Sequence, residues 1–296
     1  MKVLACVDDD LRYDDVLAAL SWCLRLGDSD EVLVTHVVAP LRWMPSKGDA
    51  DPGWGGTERA IIEKAQDFLA QTAERVAHVK AKELLLEGDA ATEIAKAGVE
   101  HGVDVIVLGA LGQARSEDFL VGSVAEKIGA ASERHVLMVR GPAPEPSEPF
   151  RALLAVDGSD ASFDTVEAFT RVTRADRATI QVLHVLELPP ATWDLGVEDE
   201  GQPSVSIPPS YRERADRALE RASEILHAHG LDASEELRRG SAAGEVVEGA
   251  VLFHANLVVV GSRGHGVPGV VNAWSGSVAR RVARHAPCSV LIAHSD

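Results

Sequence analysis

Short apolar runs alternate with longer amphipathic stretches along the chain. In the first half, the runs predict strands, and the stretches whose apolar residues recur every three or four positions predict helices. The predicted strands are 2–8, 31–38, 82–87, 104–109 and 135–140, and the predicted helices are 13–26, 57–80, 90–101 and 122–131. Strands rich in Val, Ile and Leu that alternate with helices are typical of buried parallel sheets with right-handed crossovers. The predicted fold class is therefore α/β, with a doubly wound five-stranded parallel sheet.

The same pattern recurs in the second half of the chain. Five sequence blocks reappear in one order: KVLACVDDD as RALLAVDGSD, EVLVTHVVAP as TIQVLHVLEL, LLLEGDAATEIAKAG as ELRRGSAAGEVVEGA, DVIVLGALG as NLVVVGSRG, and VGSVAEKI as SGSVARRV. A repeat of this length indicates a duplicated domain rather than a solenoid, whose repeats are much shorter. We predict one domain at 1–141, a proline-rich linker at 142–149 and a second domain at 150–296.

Composition and charge argue against several classes of partner and of binding site. The chain has 296 residues and a formal net charge of −17, which disfavours nucleic acid and anionic membranes as partners. Its 3 cysteines are widely spaced and indicate neither a disulfide framework nor a zinc site. No apolar run approaches the roughly 18 residues of a membrane span, and the acids from Asp8 onward interrupt any signal peptide. We expect a soluble, cytoplasmic protein.

The fourth predicted strand of each copy ends in a glycine-rich turn that leads to a helix. In the first copy, Gly109 ends the strand, and Gly122 and Ser123 open the helix. The first N–H groups of a helix lack partners within it and lie at its positive end, so they attract phosphate. Asp8, at the end of the first strand, is expected beside this turn if the strand order reverses there. Ordinary turn and cap chemistry explains the same glycines equally well.

The whole pattern resembles the universal stress protein family. The resemblance rests on Gly-x2-Gly-x9-Gly-Ser, an early Val-Asp and a His-Val in the second strand, and it covers nearly the whole chain as two copies. It implies a five-stranded doubly wound fold that binds ATP, with or without Mg²⁺, through this pattern. The implied nucleotide-binding residues are Asp8, Val37, Gly109, Gly112, Gly122 and Ser123 in the first copy and Asp157, Val185, Gly261, Gly264, Gly276 and Ser277 in the second.

Each copy departs from the family pattern at one loop. The first keeps the nine-residue spacer, but Glu117 and Asp118 lie inside it and would repel phosphates that they faced. The second keeps Asp-Gly-Ser after its first strand, but its spacer, 265–275, has eleven residues. The sequence leaves open whether both copies bind, and whether the ligand is ATP, ADP, AMP or a cyclic nucleotide.

No nucleophile, base and acid set emerges from the sequence, so we expect a non-enzymatic, regulatory ATP-binding protein whose hydrolysis, if any, is slow. The alternatives are a nucleotide-free interaction scaffold and an enzyme that cleaves ATP to AMP and pyrophosphate. We expect the two domains to form an intramolecular pseudo-dimer, with a homodimer and an unidentified protein as further partners. His36 and His184 are interpreted as structural histidines bonded to backbone, and HAH at 227–229 as a helix end rather than a metal site.

Overall fold

The computed structural model divides the chain into two compact units, Met1–Ala143 and Pro144–Asp296. The structure describes residues 1–8, 13–39, 54–76, 79–111, 121–187, 194–197, 203–206, 209–264 and 277–294. For 54–58, 194–197, 203–206 and 277 it describes the backbone.

The first unit alternates strands and helices from its start. Its elements are β1 (Lys2–Cys6), α1 (Tyr13–Trp22), β2 (Glu31–Val38), α2 (Trp54–Arg75), β3 (Lys80–Glu87), α3 (Ala90–Glu100), β4 (Val105–Gly109), α4 (Ser123–Ala131) and β5 (His135–Val139). These elements match the order that the apolar pattern predicts, with differences of a few residues at their ends.

The second unit repeats this order with one addition. Its elements are β6 (Phe150–Val156), α5 (Asp160–Val172), a 3₁₀ turn (Ala175–Arg177), β7 (Ala178–Leu186), β8 (Asp194–Val197), β9 (Pro203–Ser206), α6 (Pro209–Ala228), β10 (Ala233–Arg239), α7 (Ala242–Leu252), β11 (Leu257–Gly261), α8 (Ser277–His285) and β12 (Ser289–Ala293). The addition is an antiparallel pair, β8 with β9, in the connection between β7 and α6. The sequence analysis does not predict this pair.

Both units contain a parallel sheet whose strand order reverses at the first strand. The order is β5-β4-β1-β2-β3 in the first unit and β12-β11-β6-β7-β10 in the second. β1 pairs in parallel with both β2 and β4, and β6 pairs in parallel with both β7 and β11. The predicted doubly wound parallel sheet is therefore confirmed. In such sheets a crevice opens beyond the carboxyl ends of the strands, at the point of reversal.

The central strands are buried because helices cover them. Val3, Leu4 and Ala5 of β1 are fully buried, as are Ala152, Leu153 and Leu154 of β6. On α5, the buried side chains include Val166 and Phe169, which recur at the helical period and turn one face of the helix to the sheet. These apolar layers fix the strand ends that border the crevice.

Two elements of the first unit end earlier in the structure than the sequence pattern predicts. α1 ends at Trp22 rather than at residue 26, since the N–H groups of Cys23 and Leu24 both donate to the carbonyl of Ala19 and close the helix in a turn. The first strand ends at Cys6 rather than at residue 8, although Val7 N–H still donates to Thr35 O at 2.9 Å. Among the described residues, no helix is both long enough and apolar enough to span a bilayer.

The buried centre of β6 should dominate the stability of the second unit. We expect Leu154→Ala to lower its free energy of unfolding by about 2–5 kcal/mol, because Leu154 is fully buried and its truncation leaves a cavity. The matched control is Leu252→Ala on α7, where the side chain is 63% exposed and we expect a change within about 0.5 kcal/mol. Urea denaturation of the full chain measures both, and equal effects would contradict this account of the core.

Candidate functional site

The carboxyl ends of the second unit's strands border a cleft of 740 Å³. Its walls come from the ends of β6, β7 and β11, one face of α6, and the first residues of α7 and α8. Small-molecule sites typically occupy about 300–1,000 Å³. The cleft therefore has the size of a ligand site and lies where doubly wound sheets bind ligands.

The structure brings four of the six predicted second-copy residues together in this cleft. Asp157 follows the end of β6, and Val185 lies near the end of β7. Gly261 is the last residue of β11, and Gly264 lies in the turn that follows it. Ser277 begins α8, next to Val278 and Ala279, which line the cleft. Gly276 lies outside the described residues. The assignment of these residues to a nucleotide stays a prediction.

Local hydrogen bonds hold the Asp157 carboxylate in place. Its Oδ1 accepts from the N–H of Ser159 at 2.9 Å and from the Ser159 hydroxyl at 2.5 Å. The Ser159 hydroxyl oxygen in turn accepts from Ser162 N–H and caps the start of α5. Between them, Gly158 has φ +83°, a conformation that other residues adopt only with strain. The Asp-Gly-Ser sequence therefore forms a hydrogen-bonded turn that directs the Asp157 carboxylate toward the cleft.

The glycines after β11 are required by close packing rather than by an unusual φ. Neither Gly261 nor Gly264 is among the residues at positive φ. A Cβ atom added to Gly261 would lie 2.8 Å from Thr165 Oγ1 and 2.9 Å from Arg263 O. One added to Gly264 would lie 2.5 Å from Asp157 Oδ2. The absent side chains therefore let the turn approach the aspartate closely.

A histidine in the second strand fixes the strand end that carries the aspartate, and it does so in both units. His184 Nδ1 donates to Val156 O at 2.9 Å, and His36 Nδ1 donates to Val7 O at 3.0 Å. The residue after each carbonyl is the predicted aspartate, Asp157 or Asp8. The prediction that both histidines bond to backbone is confirmed, although each ring is half-buried rather than fully buried.

The first unit places its predicted residues at the matching strand ends. Asp8 lies two residues after β1, with its Oδ1 at 3.9 Å from His36 Nδ1 and its side chain 59% exposed. Val37 lies near the end of β2, and Gly109 is the last residue of β4. Since these three strands are neighbours, the three residues share one edge of the sheet. Gly112, Glu117 and Asp118 lie outside the described residues.

The start of α4 is tied directly to the end of β4. Gly122 is the N-cap, with φ −60° and ψ 147°, and its N–H donates to Ala110 O at 2.7 Å. Ser123 is the first helical residue. Because glycine has no side chain, the N-cap residue leaves the first-turn N–H groups uncapped, as an anion site requires. The structure thus supports the predicted start of this helix, and its role with phosphate stays a prediction.

The arginines of the cleft are functional candidates that the sequence pattern does not reveal. Arg214, Arg217 and Arg221 lie three and four residues apart on α6 and all line the cleft, together with Arg263 from the turn after β11. Their spacing places the first three on one helix face. This spacing is the one feature of the sequence that could have indicated a basic surface, but the same spacing is usual for a solvent-exposed helix face. The packing of α6 shows that this face borders a cleft.

The other residues whose side chains could take part in chemistry, Cys6 and His229, have structural surroundings. Burial raises the pKa of the Cys6 thiol to about 12, so this thiol is not a thiolate nucleophile at neutral pH. His229 directly follows the end of α6, and its Nε2 lies 3.0 Å from Glu167 Oε2. Within the part of the chain that the structure describes, no three His, Cys, Asp or Glu side chains form a group that would hold a metal ion.

Comparisons with known proteins agree with the duplicated fold. A family model described as the universal stress protein family matches residues 1–140 and again 150–294, which confirms the predicted tandem arrangement. A universal stress protein of Methanocaldococcus jannaschii is 28% identical over 142 residues, or 48% of this chain and 80% of the relative. The Bacillus subtilis universal stress protein YxiE is 30% identical over 145 residues, or 48% of this chain and 97% of the relative.

A solved structure extends the likeness to both units. The crystal structure of a universal stress protein from Archaeoglobus fulgidus matches with a TM-score of 0.67 and 21% identity, over 98% of this chain and 95% of that chain. At this identity the match shows the fold.

The turn after the fourth strand should tolerate substitution differently in the two units. We expect Gly261→Ala to destabilise the second unit by about 1–3 kcal/mol, because its Cβ would crowd the Arg263 carbonyl and Thr165. Gly109→Ala is the matched control: among the described residues its Cβ would meet only Leu111 O, at 3.7 Å, and we expect little change. Thermal unfolding of both variants tests this, and equal destabilisation would show that the packing at Gly261 is not limiting.

Proposed function

Because the chain belongs to the universal stress protein family, as two tandem copies, we propose that it is a regulatory protein that binds an adenine nucleotide, with ATP as the reference ligand. The observation that carries this proposal is the 740 Å³ cleft of the second unit, which collects Asp157, Val185, Gly261 and Gly264 beside the start of α8. Its position at the strand-order reversal is the one that doubly wound sheets use for nucleotides.

The residues around the cleft suit the parts of a nucleotide. The N–H groups in the first turn of α8 and the turn from Gly261 to Gly264 would receive the 5′ phosphates, with Mg²⁺ as their counter-ion in the cell. Val185 offers an apolar contact to the base. Asp157 would accept a hydrogen bond from the base or the ribose, since Ser159 already holds its carboxylate in position.

The first unit would bind in the same way, because Asp8, Val37, Gly109, Gly122 and Ser123 occupy the matching places at the strand ends and the helix start. Its loop carries Glu117 and Asp118, whose charges would weaken the binding of polyphosphates that they faced. We therefore expect the second unit to bind ATP more tightly than the first.

We further propose that the protein acts by binding rather than by catalysis. In both units the histidine nearest the aspartate donates its Nδ1 proton to a backbone carbonyl, which makes it a positioning group for the strand end. Nucleotide binding would then change the loops around the cleft and so the choice of protein partner during stress. A cytoplasmic location and a homodimer belong to the same proposal.

Isothermal titration of ATP–Mg²⁺ into the full chain tests the proposal. We expect two sites in the wild type, with Gly122→Glu removing the first-unit site and Gly276→Glu removing the second, because each places a carboxylate at the start of the phosphate-binding helix. Gly122 has φ −60°, which any residue can adopt, so its substitution should leave the fold intact. Each variant is the control for the other.

Three outcomes separate the candidate functions. Loss of one site in each variant would support two independent nucleotide clefts. Absence of binding in the wild type, with no rise in melting temperature on adding adenine nucleotides, would overturn the proposal and favour a nucleotide-free scaffold. AMP and pyrophosphate released in the presence of an acceptor would instead show an adenylating enzyme.

A further inference from the structure

One wall of the second unit's cleft is strongly basic. We call it the arginine wall and define it as Arg214, Arg217 and Arg221 of α6. With Arg263, the described lining of the cleft contains four arginines against two carboxylates, Asp157 and Glu187. The whole chain, by contrast, has a net charge of −17. A local excess of positive charge in so acidic a protein indicates an anionic ligand.

The two carboxylates of the cleft already have partners. Asp157 accepts from Ser159, and Glu187 Oε1 accepts from the N–H of Ala242 at 2.6 Å, at the start of α7. Glu187 therefore serves as an acceptor for a helix N-terminus, where negative charge is favoured.

Most arginines of the cleft have no carboxylate partner among the residues that the structure describes. Within the described residues, Arg214 and Arg263 form no ion pair, and Arg217 Nε donates to the carbonyl of Glu213 at 3.1 Å. Arg221 pairs with an acid, Glu224, at 3.0 Å.

Arg238, a structural arginine of the same unit, differs from the cleft arginines in its ion-pair partners. Arg238 is held by Glu245 at 2.8 Å, by Glu236 at 3.1 Å and by Glu248 at 3.1 Å, and the bond to Glu245 raises its pKa. At this position, three acids surround the guanidinium group. The guanidinium groups of Arg214, Arg217 and Arg263 remain available to a ligand.

The first unit does not share the wall. When the buried residues of the two helices are matched, with Ala65 on Ala215 and Leu69 on Leu219, the wall positions correspond to Lys64, Asp67 and Gln71. Arg263 corresponds to Leu111. Basic residues at all four positions are therefore a property of the second unit and not of the shared scaffold.

The arginine wall lies across the cleft from the start of α8. The helix α6 packs on β7 and β10, whereas α8 packs on β12 and α7. In the order β12-β11-β6-β7-β10, one strand, β6, lies between β7 and β11, so these two strands are two spacings of about 4.8 Å, or about 10 Å, apart. A nucleoside seated between Asp157 and Val185 would thus have its 5′ phosphates on one side and the arginines on the other.

We propose that the arginine wall is an anion subsite for a second phosphate, carried on the ribose O2′ or O3′ of a nucleotide whose 5′ phosphate lies at the start of α8. The ligand class is a nucleoside bisphosphate, and the inference rests on the nucleotide-binding function proposed above. Guanidinium groups suit this role because they bind phosphate oxygens in a bidentate manner and stay charged at every physiological pH.

The test compares AMP with adenosine 3′,5′-bisphosphate and adenosine 2′,5′-bisphosphate by isothermal titration. The full chain carries Gly122→Glu so that the heat reports on the second unit. We expect at least one bisphosphate to bind about tenfold more tightly than AMP, as one added charge-assisted contact provides. The bisphosphate isomer that binds more tightly than AMP identifies which ribose oxygen faces the arginine wall.

Arg214→Gln should reduce the preference for the bisphosphate to within about twofold and leave AMP binding nearly unchanged, since only the second phosphate faces the wall. The matched control is Arg212→Gln, two residues earlier on α6. Arg212 pairs with Asp216 and is not among the residues that line the cleft, so its loss removes the same charge but should keep the preference.

The outcomes separate this inference from the proposed function. Binding of AMP with no preference for either bisphosphate would overturn the subsite and leave nucleotide binding standing. Equal weakening of AMP and bisphosphate by Arg214→Gln would also overturn it, because the arginine would then stack on the base or act through general charge. Failure of AMP and of both bisphosphates to bind would count against the proposed function itself.

Discussion

Everything at the candidate site depends on the position of the first strand in each sheet. β1 lies between β2 and β4, and β6 lies between β7 and β11. The chain leaves the first strand toward one neighbour and returns to it from the other, so the connections depart in opposite directions and leave a crevice between them. The Asp-Gly-Ser turn, the second-strand histidine and the glycine turn after β11 come from separate parts of the sequence. They meet because this order brings their strand ends side by side.

The crevice needs its strand ends to be held firmly, and the histidines supply that support. A strand that leaves a sheet loses its ladder partners, and its last carbonyl would otherwise depend on water. His184 and His36 satisfy the carbonyls of Val156 and Val7, directly before the two aspartates. A histidine near a candidate site can thus matter for ligand binding through backbone position alone, without taking part in proton transfer.

The sequence predicted the scaffold well because the scaffold follows from apolar periodicity and repetition. Every predicted strand and helix of the first unit is present, since a buried parallel strand must be apolar on both faces. Element ends were less predictable: α1 closes at Trp22 because two N–H groups share the Ala19 carbonyl, a choice that periodicity does not encode. The β8–β9 pair also escaped prediction, because strands of four residues are too short to display a period.

The arginine wall escaped prediction for a different reason, and it shows what duplication leaves free to change. Charged residues on an amphipathic helix usually face water, and sequence alone does not tell which part of that polar face borders a cleft. The buried positions of α2 and α6 correspond closely, since both helices must pack on a sheet. At the wall positions the first unit has Lys64, Asp67 and Gln71, whereas the second unit has arginines. The shared core keeps the cleft, and the exposed half of one helix changes its charge without disturbing the packing beneath. Differences between two copies of one fold are therefore most informative about ligand binding at positions that border the cleft but do not pack in the core.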